Sequence, residues 1–544
     1  LTSLALTLLT VLYIGARFDP IPASAPDASN AGLRDPGQGA VYTAVQTHLR
    51  LHEREILGEL VDLLTIPNLA TDGVNIEKNA GRLEAMLRAR GITTKRLEVK
   101  GAPPVVFGEL RAPGATRTVV FYAHYDGQPV DRSRWHSDPF RPILKDPAKG
   151  PTGAPIDWRD PGVALDDEWR LYARSASDDK APIVAMLAAL DALRTAGIPP
   201  SINLKFFFEG EEEAGSDHLQ PILEKYAPDL NADLWLMCDG PVHQSRRQQI
   251  YFGARGVIGA ELTVYGATRP LHSGHYGNWA PNPIATLTHL LATMRDTDGT
   301  VLIRGFSDEV RRLGRAERAA LDRIPDLGKS LMEDLGLART EGSGRPLETL
   351  IMRPAMNLRG IAAGNVGTGA RNAIPTEAQA SIDFRLVPDQ KPGTIRARVE
   401  DHLRAQGFHI VREEPDPAAR REHPLIARLE WDHGYPPYRT PLDLPAARGV
   451  ARVVEQAAGG TIVQLPTLGG SLPLYIFDEV LHAPTVGVPI VNHDNNQHGA
   501  NENLRLKNLR DGIGIYAALM ARLGHHWDQG RGTGSSDPEN AGSP

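Results

Sequence analysis

Five short polar clusters in this sequence hold residue types that bind cations and move protons. His124-Tyr-Asp126, Glu209-Gly-Glu-Glu-Glu213 and Asp239-Gly each follow directly on an apolar run. Ser177-Asp178-Asp179-Lys180 precedes a run headed by Pro182, and His493-Asp494-Asn-Asn-Gln-His498 lies in a polar stretch near the C-terminus. Singly, each has a plain structural explanation. An aspartate before a helix is ordinarily an N-cap, a run of glutamates a solvated helix start, and a loop histidine a surface residue. Their combination asks for more. Ligands of open α/β sheets bind outside the carboxyl ends of the strands, which is where three of these clusters fall. Carboxylates gathered there are costly to desolvate, and hard or borderline divalent cations accept such oxygen and nitrogen ligands. Cys238 is the single cysteine, so an intrachain disulfide and a Cys-based zinc finger are excluded and any metal is left to His, Asp and Glu. Cys238 itself ends an apolar run and reads as a core residue.

The elements that must position these clusters alternate between strand and helix. Residues 118–123, 204–208 and 234–238 are apolar on both faces, as in strands covered on both sides. Residues 41–64 and 77–90 read as amphipathic helices. Residues 181–193 read as a third, with Ile183, Met186, Leu187, Leu190 and Leu193 on one face. Residues 146–167 are crowded with Pro, Gly and Asp and read as a loop or insertion. This is an α/β pattern. Near residue 255 the style changes. Ile258, Ala260, Leu262 and Val264, and later Ala378, Ala380, Ile382, Phe384 and Leu386, alternate with mostly polar neighbours. Such strands have one wet and one buried face and belong to an antiparallel sheet. With helices over 283–295 and 394–406 they form a smaller α+β domain over 255–435, interrupted by a charged helical stretch over 306–337. The α/β style then returns. The expected layout is a domain of 41–254 and 436–528, a mixed sheet covered by helices, with 255–435 inserted into it.

The chain has 544 residues, room for two to four domains at ~100–200 residues each. Its 41% hydrophobic and 23% charged content excludes a wholly disordered or fibrous chain. The net charge of −7 argues against nucleic acid as the main ligand. Residues 1–16 are mostly apolar, too short a run for a span of about 20 residues, and Ala23-Ser-Ala25 fits a signal cleavage site. A signal peptide over 1–25 and a periplasmic or secreted location are expected, with an uncleaved anchor as the rival. Residues 529–544 read as a disordered tail.

Nine motifs, in order, resemble the M20 family of metallopeptidases of the carnosinase and carboxypeptidase G2 type. They are Ala123-His-Tyr-Asp126, Ala176-Ser-Asp-Asp-Lys180, Glu209-Gly-Glu-Glu-Glu-Ala-Gly-Ser216, Cys238-Asp239-Gly, Leu271-His-Ser-Gly274, Asn372-Ala-Ile-Pro375, Phe384-Arg-Leu-Val-Pro388, Gly469-Gly-Ser-Leu-Pro473 and His498-Gly-Ala-Asn-Glu502. Ser175 and Ala181 stand where the family usually has Gly. The resemblance implies two zinc ions bridged by Asp178, one also held by His124 and Asp239, the other by Glu213 and His498. Manganese or cobalt would suit the same ligands. It implies Glu212 as general base, Asp126 as the residue that orients His124, and His272 as an oxyanion donor reaching across a homodimer formed by the inserted lid domain. It also implies that Arg385 binds a substrate carboxylate, with Asn372, Gly470 and Ser471 beside the substrate.

The implied activity is hydrolysis of an amide bond near the free carboxylate of dipeptides or short peptides. An N-acyl-amino-acid amidohydrolase would use the same site. A different class, an exported peptide- or zinc-binding protein without activity, needs ligands but no free base, and Glu212 weighs against it. Pro473 interrupts any Gly-x-Ser-x-Gly elbow at Ser471, which weighs against a serine hydrolase.

Overall fold

The computed structural model describes residues 34–150 and 153–527. The expected signal segment and C-terminal tail lie outside the described residues. Among the described residues no helix is long and apolar enough to cross a membrane.

The first of two main sheets has eight strands, in the order Thr93–Leu97, Val105–Leu110, Asn203–Glu209, Thr118–His124, Leu234–Met237, Thr485–Gly487, Gln249–Tyr251, Val463–Leu465. The four from Asn203–Glu209 to Thr485–Gly487 run parallel, and antiparallel pairs flank them, so the sheet is mixed as expected. Register decides what meets at its carboxyl edge. His124 pairs with Glu209 and Tyr122 with Met237, which brings His124 level with Asp239 two residues further on.

The helix Lys180–Thr195 packs between Gln38–Leu64 and Leu506–His526. The sequence pattern expects one apolar face here, but the structure buries every position from Lys180 to Leu190. Ala185, Ala188, Ala189 and Ala192 are small enough to let the neighbouring helices close over the remaining sides. Lys180 is itself buried and donates from Nζ to the carbonyls of Leu63 and Ile66, at 3.0 and 3.1 Å. These bonds tie the start of this helix, and the Asp178 loop before it, to the end of Gln38–Leu64.

The second sheet runs Ala355–Ala362, Glu377–Leu386, Gly253–Tyr265, Ile426–Trp431, His409–Val411. Helices Pro283–Met294 and Pro392–Ala405 cover one face through Leu287, Leu290, Ile395 and Val399, packed on Ile258, Leu262, Ile382 and Phe384. The other face is less wet than the alternation suggests. Thr263 and Asp383 are buried there, Asp383 by its pairing with Arg385. The charged stretch forms only short helices, Arg315–Leu321 and Gly328–Asp334, and Phe306 at its head belongs to the core. Strand Gly253–Tyr265 links the two sheets, because Gly253 follows the first-sheet strand Gln249–Tyr251 after one residue. At Gly256 a Cβ would lie 2.5 Å from the Tyr435 carbonyl oxygen, so the crossing chain can approach only a glycine.

A small sheet of Ile143–Lys145, Arg170–Tyr172 and Asn503–Arg505 holds the loop that carries His498. Asp494 in that loop accepts hydrogen bonds from Arg170, Asn492 and Arg505. Burial works to raise its carboxyl, but the Arg170 and Asn492 hydrogen bonds and the two guanidinium charges outweigh burial and hold it at about 2. A carboxyl held below its unfolded value stabilises the fold above that value and loses the contribution as pH falls through its folded pKa. Thermal unfolding should find Asp494→Asn less stable than the wild type at neutral pH, with the two converging as pH falls from about 4 toward about 2. A constant offset across that range would detach the carboxylate from the loop's stability.

Candidate metal centre

Three strand ends and two loops bring the predicted ligand-type residues together. His124 is fully buried, with Nε2 3.0 Å from Asp178 Oδ1 and 3.8 Å from Glu212 Oε2. His498 Nε2 lies 3.1 Å from Asp178 Oδ2 and 3.2 Å from Glu213 Oε2. Two triads result, His124–Asp178–Asp239 and Asp178–Glu213–His498, each with its ligand atoms within 4.8 Å of one another. Asp178 belongs to both, one oxygen facing each histidine. It is not a helix N-cap. Asp179 takes that position and makes no capping hydrogen bond, its Oδ2 accepting instead from the His124 backbone N–H at 3.2 Å. Nor are the glutamates a solvated helix start, since the Glu212 and Glu213 side chains are 19% and 5% exposed.

Charge in this pocket is unbalanced. Burial pushes Glu212 well above the usual carboxylate range, and the charges of Asp239, Asp178 and Glu213 add to the shift against the opposing pull of His124. Burial and the Asp178 charge move Glu213 to about 7 and Asp239 to about 6. Burial would raise Asp178 too, but the imidazoles on either side hold it well below its usual value. Asp178 Oδ2 is buried and has no aligned hydrogen-bond donor. Carboxylates and imidazoles converging on shared points, each repelling the next, are the ligand chemistry of divalent cations, and the residues present fit such ions.

Several supporting contacts were not legible as roles in the sequence. Asp126 approaches His124 Nδ1 at 3.4 Å and also accepts the backbone N–H groups of Glu212 and Glu213 at 3.1 and 3.0 Å. It therefore holds the backbone of Glu212 and Glu213 as well as approaching His124. Gln128 donates to Glu213 Oε2 at 2.7 Å. The largest omission is Glu502. Fully buried, it accepts from the backbone N–H groups of Ser175, Ser177 and Asp178 at 2.9–3.0 Å, from Ser177 Oγ at 2.9 Å and from Arg174 Nη1 at 2.7 Å. One carboxylate thus joins the Asp178 loop to the His498 loop. Ser175, where the family usually has Gly, keeps the left-handed backbone that glycine favours, at φ 60°. Its N–H bond to Glu502 and the Asn68 bond to its Oγ, 2.9 Å each, compensate.

On the second sheet Arg385 donates from Nε to Asp383 at 2.6 Å and from Nη1 to Ser471 Oγ at 2.8 Å. The Phe384-Arg-Leu-Val-Pro388 motif obliges no acidic residue to pair with Arg385, but the structure supplies one. It is Asp383, two residues away on the same face, and Nη2 is the arm left for a ligand. Gly470 is exposed beside Ser471. His272 and Asn372 sit on the exposed ribbon formed by Leu271–His272 and Ala373–Ile374. His272 Nδ1 accepts from the Gly274 N–H at 3.1 Å, a turn contact. Among the described residues neither His272 nor Asn372 bonds to the two triads.

Two triads sharing a carboxylate, with a half-buried acid in neither of them alongside, make a candidate metal site on a two-sheet scaffold. The sequence signature of peptidase family M20/M25/M40 matches residues 120–522, a span that contains every site residue above, and the chain belongs to that family of metallopeptidases. The Cys-Gly metallodipeptidase dug1 of Schizosaccharomyces pombe is 25% identical over 454 residues, 81% of this chain and 88% of that one. The human Beta-Ala-His dipeptidase is 26% identical over 434 residues, 77% of this chain and 78% of that one. Among solved structures, the M20 family metallo-carboxypeptidase Sso-CP2 from Sulfolobus solfataricus matches with a TM-score of 0.70 at 27% identity, over 87% of this chain and 99% of that one.

Removing the charge of Glu502 breaks its buried pair with Arg174, a change that typically costs about 3–5 kcal/mol. Denaturant unfolding of metal-free Glu502→Gln should show a loss of that order. An unchanged midpoint would mean that the two loops hold their positions without it.

Proposed function

We propose that this protein is a dipeptidase or short-peptide hydrolase with two zinc ions, acting on the amide bond next to the residue that bears the free carboxylate. The observation that carries the reading is Asp178, shared between the His124 and His498 triads, with Glu212 half-buried beside it and committed to neither. His124, Asp178 and Asp239 would hold one ion, and Asp178, Glu213 and His498 the other. When bound, such ions supply Lewis acidity for the scissile carbonyl and acidify a water to near neutrality.

The chain's own groups do the rest. Glu212 takes a proton from the attacking water and delivers it to the amine nitrogen as the C–N bond breaks. Asp126 keeps Glu212 in place through the Glu212 N–H. Arg385 Nη2 and Ser471 Oγ are the groups that would bind the substrate carboxylate, Nη2 through a charge-assisted hydrogen bond. The relatives named as dipeptidases support this substrate class. His272 serves as the oxyanion donor across a homodimer in this reading. The exposed ribbon that carries it, and the edge strand Ala355–Ala362 with exposed Leu358 and Ile361, support an interface with a second copy.

Glu212→Gln should retain bound metal and lose turnover by about 10²–10⁴-fold, whereas Glu213→Gln should lose metal. Wild-type turnover in Glu212→Gln would remove the base assignment. Arg385→Ala should depress kcat/KM for dipeptides with a free carboxylate, and amidated dipeptides should be poor for both enzymes. Equal cleavage of free and amidated forms by the wild type would contradict carboxylate recognition. Mixing inactive His272→Ala with inactive Glu212→Gln chains should restore activity, and a mixture that stays inactive would place the oxyanion donor elsewhere.

A further inference from the structure

We propose that Tyr435 and Tyr475 are specificity-determining residues. Their stacked rings wall the pocket for the side chain of the carboxylate-bearing substrate residue and favour an aromatic or wide apolar group there. The inference rests on the reading above, in which Arg385 and Ser471 take the carboxylate and Glu212 works at the amide.

Strand register puts the pieces in a row. Arg385 pairs with Val257, and Val257 bridges to Tyr435 through reciprocal backbone hydrogen bonds of 3.1 and 2.8 Å. Directly opposed residues of antiparallel strands project from the same face. Arg385, Val257 and Tyr435 therefore share one face, with two strand spacings, about 10 Å, between the first and the last. The Arg385 bond to Ser471 Oγ shows which way that face looks. From Ser471 the chain runs on through Leu472-Pro473-Leu474 to Tyr475, which opens helix Tyr475–Leu481. There its ring stacks on Tyr435, with centroids 6.1 Å apart and planes 16° from parallel.

The segment between Ser471 and Tyr475 also reaches the reacting groups. Leu472, Pro473 and Leu474 border one small cavity with Glu212 and Asp239. Burial pushes the Tyr435 hydroxyl up to about 12, and the Arg385 and Glu212 charges, near enough to act on it, pull it down and up respectively. Both tyrosines are half-buried, and among the described residues neither hydroxyl has a hydrogen-bond partner. The pair is thus not a polar tie between strand and helix, and it offers partly open aromatic surface. A substrate residue fixed by its carboxylate at Arg385 and by its nitrogen near Glu212 has one direction left for its side chain, and the two rings flank that space. Apolar pockets of this kind discriminate by about 10–200-fold per well-placed group, and a stacked aromatic adds to the gain from area alone.

The test is the ratio of kcat/KM for Ala-Phe to that for Ala-Gly, measured on the metal-loaded full chain. N-acetyl-Phe and N-acetyl-Gly form a second pair with the same carboxylate-bearing residues. The wild type should favour the Phe member by about tenfold or more. Tyr435→Ala and Tyr475→Ala should each cut that ratio by about tenfold, chiefly through KM, and Tyr435→Phe, which keeps the stack, should preserve it. No preference in the wild type, or a fall shared equally by the Phe and Gly substrates, would overturn the proposal and leave the rings as packing. Cleavage of only the N-acetyl pair would overturn the dipeptidase reading, while the ratio in that pair still decides the role of the rings. Failure to cleave either pair would overturn both.

Discussion

Too many negative charges in too little water is the constraint on which this structure turns. Asp126, Asp178, Asp179, Asp239, Glu209, Glu212 and Glu213 crowd one end of a buried sheet, with the imidazoles of His124 and His498 among them. Two like charges about 4 Å apart repel by about 4 kcal/mol at an effective dielectric near 20, so the acids cannot all remain ionised without cations. The raised proton affinities of Asp179, Glu209, Glu212, Glu213 and Asp239, each caused first by burial, report that frustration. Folding still assembles the site, because strand register and the surrounding core fix its backbone. The apolar strands and the enclosed helix Lys180–Thr195 bury enough surface to hold the ligands at their stations.

Connections around the site follow from that demand. Loops bearing ligands would spread apart under repulsion, and here each is tethered from behind. Glu502 gathers the Asp178 loop, Asp494 with its arginines fixes the loop leading to His498, and Asp126 holds the backbone of the two glutamates. Strand Gly253–Tyr265 then carries the second sheet to the same place, bringing Arg385 against Ser471. The Arg385–Ser471 contact thus draws on two sheets joined by one strand, and the tight crossing at Gly256 leaves little freedom in how they meet.

Much of this was legible in the sequence, for a physical reason. Metal-type residues at the ends of doubly apolar strands cannot be explained by solvation, so His124, Glu213 and Asp239 stood out by position alone. Asp178 and His498 needed the family resemblance, because an acid before a helix or a histidine in a loop has a commoner use. The partner of Arg385 is readable from the pattern. Residues two apart on a strand share a face, so Asp383 was always its neighbour. Glu502 had no such signal, since its five bonds span more than 300 residues of sequence and exist only once the loops have met. The central helix was read as amphipathic because its second face is mostly alanine, which shows weakly in a periodic pattern yet packs most closely. His272 and Asn372 are exposed and bond to neither triad among the described residues, so the structure of one chain adds nothing to what their motifs implied.

The central claim is that Asp178 serves two cations at once, and metal content per active chain tests it most directly. Protein loaded with zinc, dialysed to remove weakly held ions and assayed in the same sample should carry about two equivalents per chain. Full activity at one equivalent would contradict the shared-carboxylate account.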